Sequence, residues 1–147
     1  MKYIIIVIVS LTIMSCGNNE NKVESVKASA EQKAVAEDKL TLNNENKWKV
    51  NAETHQGMTQ IKVILENMDP LTLEDYVLMG DKCDEQTSFI ISNCSMTGEA
   101  HNQLHHVLHP ILNDISALQN SVNLEDASAA MMSLEDNLHD YFTHFEI

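Results

Sequence analysis

Four residues with metal-binding side chains lie within twelve positions of one another. His101 and His105 are four residues apart, so on a helix both imidazoles lie on one face and can reach a common ion. Cys94 and Met96 lie just upstream and can add a thiolate and a thioether. Soft sulfur beside imidazole favours copper, above all Cu(I), over magnesium or calcium. The pattern predicts a site for a soft transition metal at Cys94, Met96, His101 and His105.

Packing and helix capping are the alternative roles for these side chains, and both readings stay open at this point. Methionine at a stripe position fills irregular gaps in a core, and four methionines fit that role: Met58, Met68, Met131 and Met132. His106 and His109 are expected on a solvated flank. His139 and His144 lie near the end of a predicted helix, where imidazole groups either complement the helix dipole or ligate a metal. His55 and His144 are the candidate supplementary ligands.

The sequence lacks the motifs of the common hydrolases and cofactor enzymes. No Glu follows His101 in the pattern that a zinc protease helix needs for its general base. Only Asp136 and His139 approach the Glu-x-x-His spacing of a di-iron bundle. There is no Gly-x-Ser-x-Gly, no phosphate-binding glycine loop and no Cys-x-x-Cys-His. Cys94 and His101 could form a nucleophile pair, but nothing marks a third, orienting group. We therefore expect no enzymatic activity.

Four segments after residue 48 repeat apolar side chains at spacings of three and four, which is typical of amphipathic helices. The fourth carries Leu124, Ala127, Met131, Leu134, Leu138, Tyr141 and Phe145. The third carries Ala100, Leu104, Leu108, Ile111, Ile115 and Leu118. The second carries Tyr76, Gly80, Cys83, Thr87, Ile90 and Cys94, and the first carries Met58, Ile61, Ile64, Leu65 and Met68. Thr72, Thr97 and Asn123 fit N-cap positions, and Pro110 is expected to kink the third helix or to remove one hydrogen bond from it.

An all-α, antiparallel up-down-up-down four-helix bundle over residues 48–147 is the predicted fold, because the links between the segments are short. This topology gathers the start of the first helix, the second link and the end of the fourth helix at one end. His55, Cys94, His101 and His144 are therefore expected at a single pole of the bundle. If Cys83 and Cys94 share a helix, they lie roughly 16 Å apart. That distance is too long for a disulfide, so two free thiols are predicted.

The first residues have the order of an export signal. Lys2 precedes the apolar run 4–14, which is too short to span a membrane, and Cys16 follows in a stretch that resembles a lipobox. The sequence therefore predicts a lipoprotein signal peptide over residues 1–15 and lipidation of Cys16. The polar residues 16–47 lack aromatic side chains and are predicted to form a disordered tether.

The formal net charge of −13 limits the partners of the protein. A polyanion would be repelled, so no nucleic-acid partner is expected. The acyl chains on Cys16 are expected to supply the membrane attachment. This reasoning places the protein in the cell envelope, anchored at the outer membrane or facing the periplasm, where an envelope protein is a candidate partner.

The segment CSMTGEAHNQLH, from Cys94 to His105 with Pro110 following, carries a resemblance to known proteins. It resembles a group of small, functionally uncharacterised bacterial lipoproteins with a C-terminal helical domain. The resemblance covers most of the domain and implies no established activity. At the level of the fold alone, the bundle is also similar to soluble b-type cytochromes, in which a Met and a His at places comparable to Met58 and His144 bind haem.

Three functional hypotheses follow from these observations. The first is a membrane-anchored lipoprotein whose bundle binds a soft metal, copper above all, as a buffer, sensor or delivery module. The second is a cofactor-free structural or protein-interaction lipoprotein of the cell envelope. The third is haem binding.

Overall fold

The structure is a computed structural model and describes residues 39–147. Four helices make up most of this part: α1 (Ala52–Asn67), α2 (Leu73–Asn93), α3 (Gly98–Asn120) and α4 (Leu124–His144). Consecutive helices pack against each other, and α1 also contacts α4 to close the bundle. The predicted all-α four-helix bundle is confirmed. Within residues 39–147, no helix is both long enough and apolar enough to cross a membrane.

Contacts between helices show that the neighbours are antiparallel. Asp81 in the first half of α2 accepts a hydrogen bond from Gln119 near the end of α3 (2.9 Å). Asn51, just before α1, donates to the carbonyl of Asn93 at the end of α2 (3.0 Å), and His55 near the start of α1 lies 3.3 Å from the hydroxyl of Tyr141 near the end of α4. The start of α1, the α2–α3 link and the end of α4 therefore lie at one end of the bundle, which we call the sulfur-imidazole pole because it carries Cys94 and His101.

Side-chain caps begin two of the helices. The Thr72 hydroxyl accepts from the Asp75 amide, and the Asp75 carboxylate accepts from the Thr72 amide, which is a capping box. Asn123 caps α4 by accepting from the Asp126 amide. Thr97 is the N-cap residue of α3, as predicted, but its side chain makes no capping hydrogen bond. Helix α3 continues through Pro110.

The core follows the predicted stripes with two exceptions. Met58, Ile61, Ile90, Ile111, Leu134 and Tyr141 are among its fully buried side chains. Leu124, predicted on the buried stripe, is 50% exposed because it is the first residue of α4, at the end of the bundle opposite the sulfur-imidazole pole. Met132, predicted as a core residue, is 61% exposed, whereas its neighbour Met131 packs against the core as predicted. The sequence prediction was wrong for both side chains.

The bundle extends further toward the N-terminus than Trp48, where the sequence analysis placed its boundary. Strand β1 (Trp48–Lys49) pairs in parallel with β2 (Phe145–Glu146) beyond the end of α4. The Trp48 indole donates to the carbonyl of Thr41 (2.6 Å), and the Thr41 amide donates to the buried side chain of Gln103 (2.8 Å). Part of the predicted tether is therefore hydrogen-bonded to the bundle. The predicted signal peptide, Cys16 and residues 17–38 lie outside the described residues.

Candidate metal centre

The part of the sulfur-imidazole pole that carries Cys94 and His101 is formed by the end of α2 and the start of α3. Cys94 is the C-cap residue of α2, and the link ends at Gly98, the first residue of α3. Gly98 has a φ of +70°, a conformation in which a residue with a Cβ is strained. This sharp reversal places His101, in the first turn of α3, against the residues that end α2.

His101 lies beside both sulfur-bearing residues of the link. Its Nδ1 is 3.9 Å from the Cys94 Sγ and 2.9 Å from the Met96 carbonyl oxygen. Since a carbonyl only accepts, the hydrogen of this short contact must be on Nδ1. Met96 touches His101 through its backbone, whereas its side chain packs against the core. Both Cys94 and His101 are half-buried, so the pair is reachable from solvent.

A second imidazole and then a third continue from His101 along α3. His105 Nε2 lies 2.8 Å from His101 Nε2, and His105 Nδ1 lies 3.2 Å from His109 Nε2. The ring centroids of the successive pairs are 4.6 and 5.1 Å apart. These three residues, which we call the imidazole ladder, occupy positions i, i+4 and i+8 on one face of the helix.

The Met96 carbonyl fixes the hydrogen positions along the whole ladder when its rings are neutral. With its hydrogen on Nδ1, His101 presents a bare Nε2, so His105 must donate to it from Nε2. His105 then presents a bare Nδ1, to which His109 donates from its Nε2. The direction of donation therefore runs from His109 through His105 and His101 to the backbone.

The ladder disfavours positive charge at its central ring. Partial burial lowers the pKa of His105 below its ordinary value, and the neighbouring charges of His101, His109 and His106 lower it further. A neutral His105 is the form that hydrogen-bonds on both sides and the form that metals bind.

The supplementary ligands proposed from the sequence make other contacts. His55 Nδ1 lies 3.3 Å from the Tyr141 hydroxyl, and its ring meets the edge of Phe142 at a centroid distance of 5.7 Å. His144 donates from Nδ1 to the carbonyl of Asp140 one turn earlier (2.8 Å). Both residues lie at the predicted end of the bundle. Their rings, however, contact residues of α4, and neither ring contacts Cys94 or His101.

Two further candidates from the sequence, Met58 and His139, do not contact the imidazole ladder. Met58, the residue compared with a haem ligand, is fully buried in the core. His139 lines a surface cavity of about 280 Å³ between α1 and α4, together with Lys62, Leu65 and Phe142. Neither residue is among the contacts of the imidazole ladder.

The two cysteines of the bundle differ in environment. Both are free thiols, as predicted from their positions on one helix. Cys83 is completely buried, and this burial raises the pKa of its thiol to about 12. Cys94 is half-buried at the pole. Only Cys94 therefore combines access to solvent with an imidazole neighbour.

The four predicted ligands do not converge on one point, because they contact two different nitrogens of the His101 ring. Cys94 and the Met96 carbonyl face Nδ1 of His101, whereas His105 faces Nε2 on the other side of the same ring. Across residues 39–147, no group of three or more His, Cys, Asp and Glu side chains is arranged to hold a metal. The arrangement brings these side chains together in pairs, and Cys94 with His101 is the pair that combines a thiol with an imidazole.

Sequence reasoning missed His109 as a member of this cluster. It was assigned to a solvated flank, and its side chain is indeed exposed, but its ring contacts His105. The available signal was the same spacing of four residues, repeated once more after His105.

In comparisons with protein families, with curated proteins and with solved structures, nothing matches this chain. The resemblance to bacterial lipoproteins therefore stays a prediction from the motif between Cys94 and His105.

Proposed function

We propose that this protein binds a soft transition metal ion, Cu(I) in preference, at the sulfur-imidazole pole of its bundle. Cys94 as thiolate and Nδ1 of His101 are the primary ligands. Met96 lies between them in sequence and supplies a thioether when its side chain turns outward. The observation that carries the proposal is the 3.9 Å separation between Cys94 Sγ and His101 Nδ1.

That separation is close to the one that a shared ion requires. With metal–sulfur and metal–nitrogen distances of about 2.3 and 2.0 Å, a trigonal angle places the two donor atoms about 3.7 Å apart. The observed separation therefore differs from this value by roughly 0.2 Å. A site with one thiolate, one imidazole and one thioether is soft and of low coordination number, which favours copper over zinc, magnesium or calcium.

The proposal includes the setting of the site. The protein is a lipoprotein of the cell envelope, anchored through Cys16 at the outer membrane or facing the periplasm, and its bundle acts as a copper buffer, sensor or delivery module without enzymatic activity. The signal sequence at residues 1–15 supports the anchor. Growth with globomycin should leave uncleaved precursor, and a Cys16→Ser chain should carry no acyl groups. Normal maturation in globomycin would refute the anchor and leave the metal proposal standing.

The test of the metal site is a Cu(I) titration against a competing chelator, with the full chain carrying Cys16→Ser so that no third thiol takes part. We expect one ion per chain, and at least a tenfold weaker affinity in Cys94→Ser and in His101→Ala. His106→Ala is the matched control, because His106 is on the same helix but outside the ladder contacts. Equal affinity in all four chains would refute the proposal.

The second candidate function is a cofactor-free interaction lipoprotein. It is favoured by exposed apolar side chains at the end opposite the pole, where Leu71 is 76% and Val122 is 83% exposed. Such side chains on the two links of that end offer a contact surface to an envelope protein. This function predicts unchanged thermal stability in chelator and no bound copper after growth in copper-supplemented medium. Haem binding, the third hypothesis, predicts a Soret band after reconstitution.

A further inference from the structure

The imidazole ladder continues two rings beyond the proposed ligand His101. As described above, the Met96 carbonyl holds a hydrogen on His101 Nδ1, so donation runs from His109 toward the backbone. His101 cannot keep that hydrogen and bind an ion through the same nitrogen. A neutral His101 that ligates through Nδ1 must carry its hydrogen on Nε2.

We propose that ion binding at Cys94 and His101 reverses the donor direction along the ladder, so that His105 and His109 act as positioning residues for His101. This inference rests on the proposed function. With its hydrogen on Nε2, His101 donates to His105 Nε2 across the 2.8 Å contact. His105 then carries its hydrogen on Nδ1 and donates to His109 Nε2 across the 3.2 Å contact. His109 carries its hydrogen on Nδ1, toward solvent.

The hydrogens balance in this scheme. Each of the three imidazoles is neutral before and after binding and carries one hydrogen on nitrogen. Ion binding moves this hydrogen from one ring nitrogen to the other. Cys94 binds as thiolate, so the thiol proton is released to solvent. The Met96 carbonyl loses the hydrogen bond from His101, which frees this residue to turn toward the ion.

The role assigned to His105 and His109 is the usual one around a metal site. A ligating histidine nearly always donates its second ring nitrogen to an acceptor, which fixes the tautomer and the orientation of the ring, and loss of that acceptor typically costs ten to a hundredfold in affinity. Here the acceptor is another imidazole rather than a carboxylate, and it is itself held by a third. His105 lies on the Nε2 side of His101, away from the 3.9 Å contact with Cys94, and this position favours an acceptor role over direct ligation.

The first arm of the test is a set of substitutions in the full chain carrying Cys16→Ser. His105→Ala should weaken Cu(I) binding by ten to a hundredfold. His105→Gln, whose amide oxygen can accept from His101 Nε2, should restore at least half of that loss on a logarithmic scale. His109→Ala should weaken binding by a smaller factor, about two to fivefold, because it acts one ring further out. His106→Ala should leave the affinity unchanged.

The second arm reads the tautomers directly by ¹⁵N nuclear magnetic resonance of labelled histidine, since Cu(I) is diamagnetic. Without metal, His101 should be protonated on Nδ1, and His105 and His109 on Nε2. With Cu(I), all three assignments should exchange. A change of tautomer is a readout that a purely structural role for His105 or His109 would not produce.

The outcomes separate the two proposals. If no Cu(I) binds to the pole, the proposed function and this inference both fail. If Cu(I) binds through Cys94 and His101 but the tautomers of His105 and His109 do not change, only the inference fails. A His105 ring that keeps its hydrogen on Nε2 and shows the ¹⁵N shift of a metal-bound nitrogen, or an equal loss in His105→Gln and His105→Ala, would overturn the positioning role.

Discussion

The contact between α1 and α2 depends on the absence of a side chain at Gly57, and this dependence gives a quantitative prediction. A Cβ at this position would lie 2.3 Å from Cγ1 and 2.7 Å from Cδ1 of Ile90, and 3.2 Å from the carbonyl oxygen of Gln86. Carbon atoms in ordinary contact are about 3.5 to 4.0 Å apart. The two helices would therefore have to separate by about 1 Å, or Ile90 would have to leave its rotamer.

We expect Gly57→Ala to destabilise the protein. Overpacking of a core typically costs about 1 to 3 kcal/mol. The upper half of this range applies because Ile90 is completely buried and the Gln86 backbone blocks the other side. Alanine regains about 1 kcal/mol through its better helix propensity. The net loss is about 1 to 2 kcal/mol, which corresponds to a fall in Tm of about 5 to 15 °C for a domain of this size.

A double-mutant cycle tests the cause of this loss. Ile90→Ala alone should cost about 2 to 5 kcal/mol through the space that it opens. In the Gly57→Ala/Ile90→Ala chain the new Cβ occupies part of that space, so the double variant should be at least about 1 kcal/mol more stable than the sum of the single changes. Chemical denaturation followed by circular dichroism measures all three chains. A stabilised Gly57→Ala chain, or additive single changes, would contradict the packing argument.

Three further predictions use simpler measurements. In a Cys16→Ser chain at pH 7.5, a disulfide reagent should titrate one thiol in the native state and two after unfolding. The reason is that burial holds the pKa of Cys83 near 12, whereas Cys94 is only half-buried. Two thiols that react fast in the native state would contradict this prediction. Folding lowers the pKa of His105, so below pH 6.5 the unfolded chain binds a proton more readily than the native chain, and the free energy of unfolding should fall. The fall from pH 7.5 to 5.5 should be smaller in His105→Gln. An equal fall in both chains would exclude His105 as a cause. Trp48→Phe should cost about 0.5 to 1.5 kcal/mol in denaturant unfolding, because it removes the 2.6 Å indole hydrogen bond, and an unchanged free energy would show that this bond does not stabilise the bundle.

The helices and their order could be predicted because their evidence is local and repeated. Each apolar stripe samples the same periodicity several times, so one misplaced residue does not change the assignment. The errors came at single positions where burial depends on the place of a residue in the bundle. Leu124 fits the stripe of α4, but it begins that helix at the open end and is half exposed.

The N-terminal boundary could not be predicted because the contacts that hold it are distant in sequence and polar. Thr41 donates to Gln103 across 62 residues, and the Trp48 indole then donates to Thr41. A turn at residues 43–46 brings these groups together through two left-handed residues, Asn44 and Glu45. Asn44 is a common residue at such a position, but Glu45 is an unusual one, so the local sequence gives an incomplete signal for this turn.

The candidate metal centre shows which part of a histidine pattern can be predicted and which cannot. The spacing of His101 and His105 predicts that their rings meet, and they do, but it does not predict which nitrogen each ring presents. That choice depends on the Met96 carbonyl, whose position is set by the reversal at Gly98. One backbone acceptor thus determines the hydrogens of three imidazoles. His101 presents different nitrogens to Cys94 and to His105, so the two rings of this i, i+4 pair do not converge on one point. His105, which the spacing suggests as a second ligand, has instead the geometry of a hydrogen-bond partner of His101.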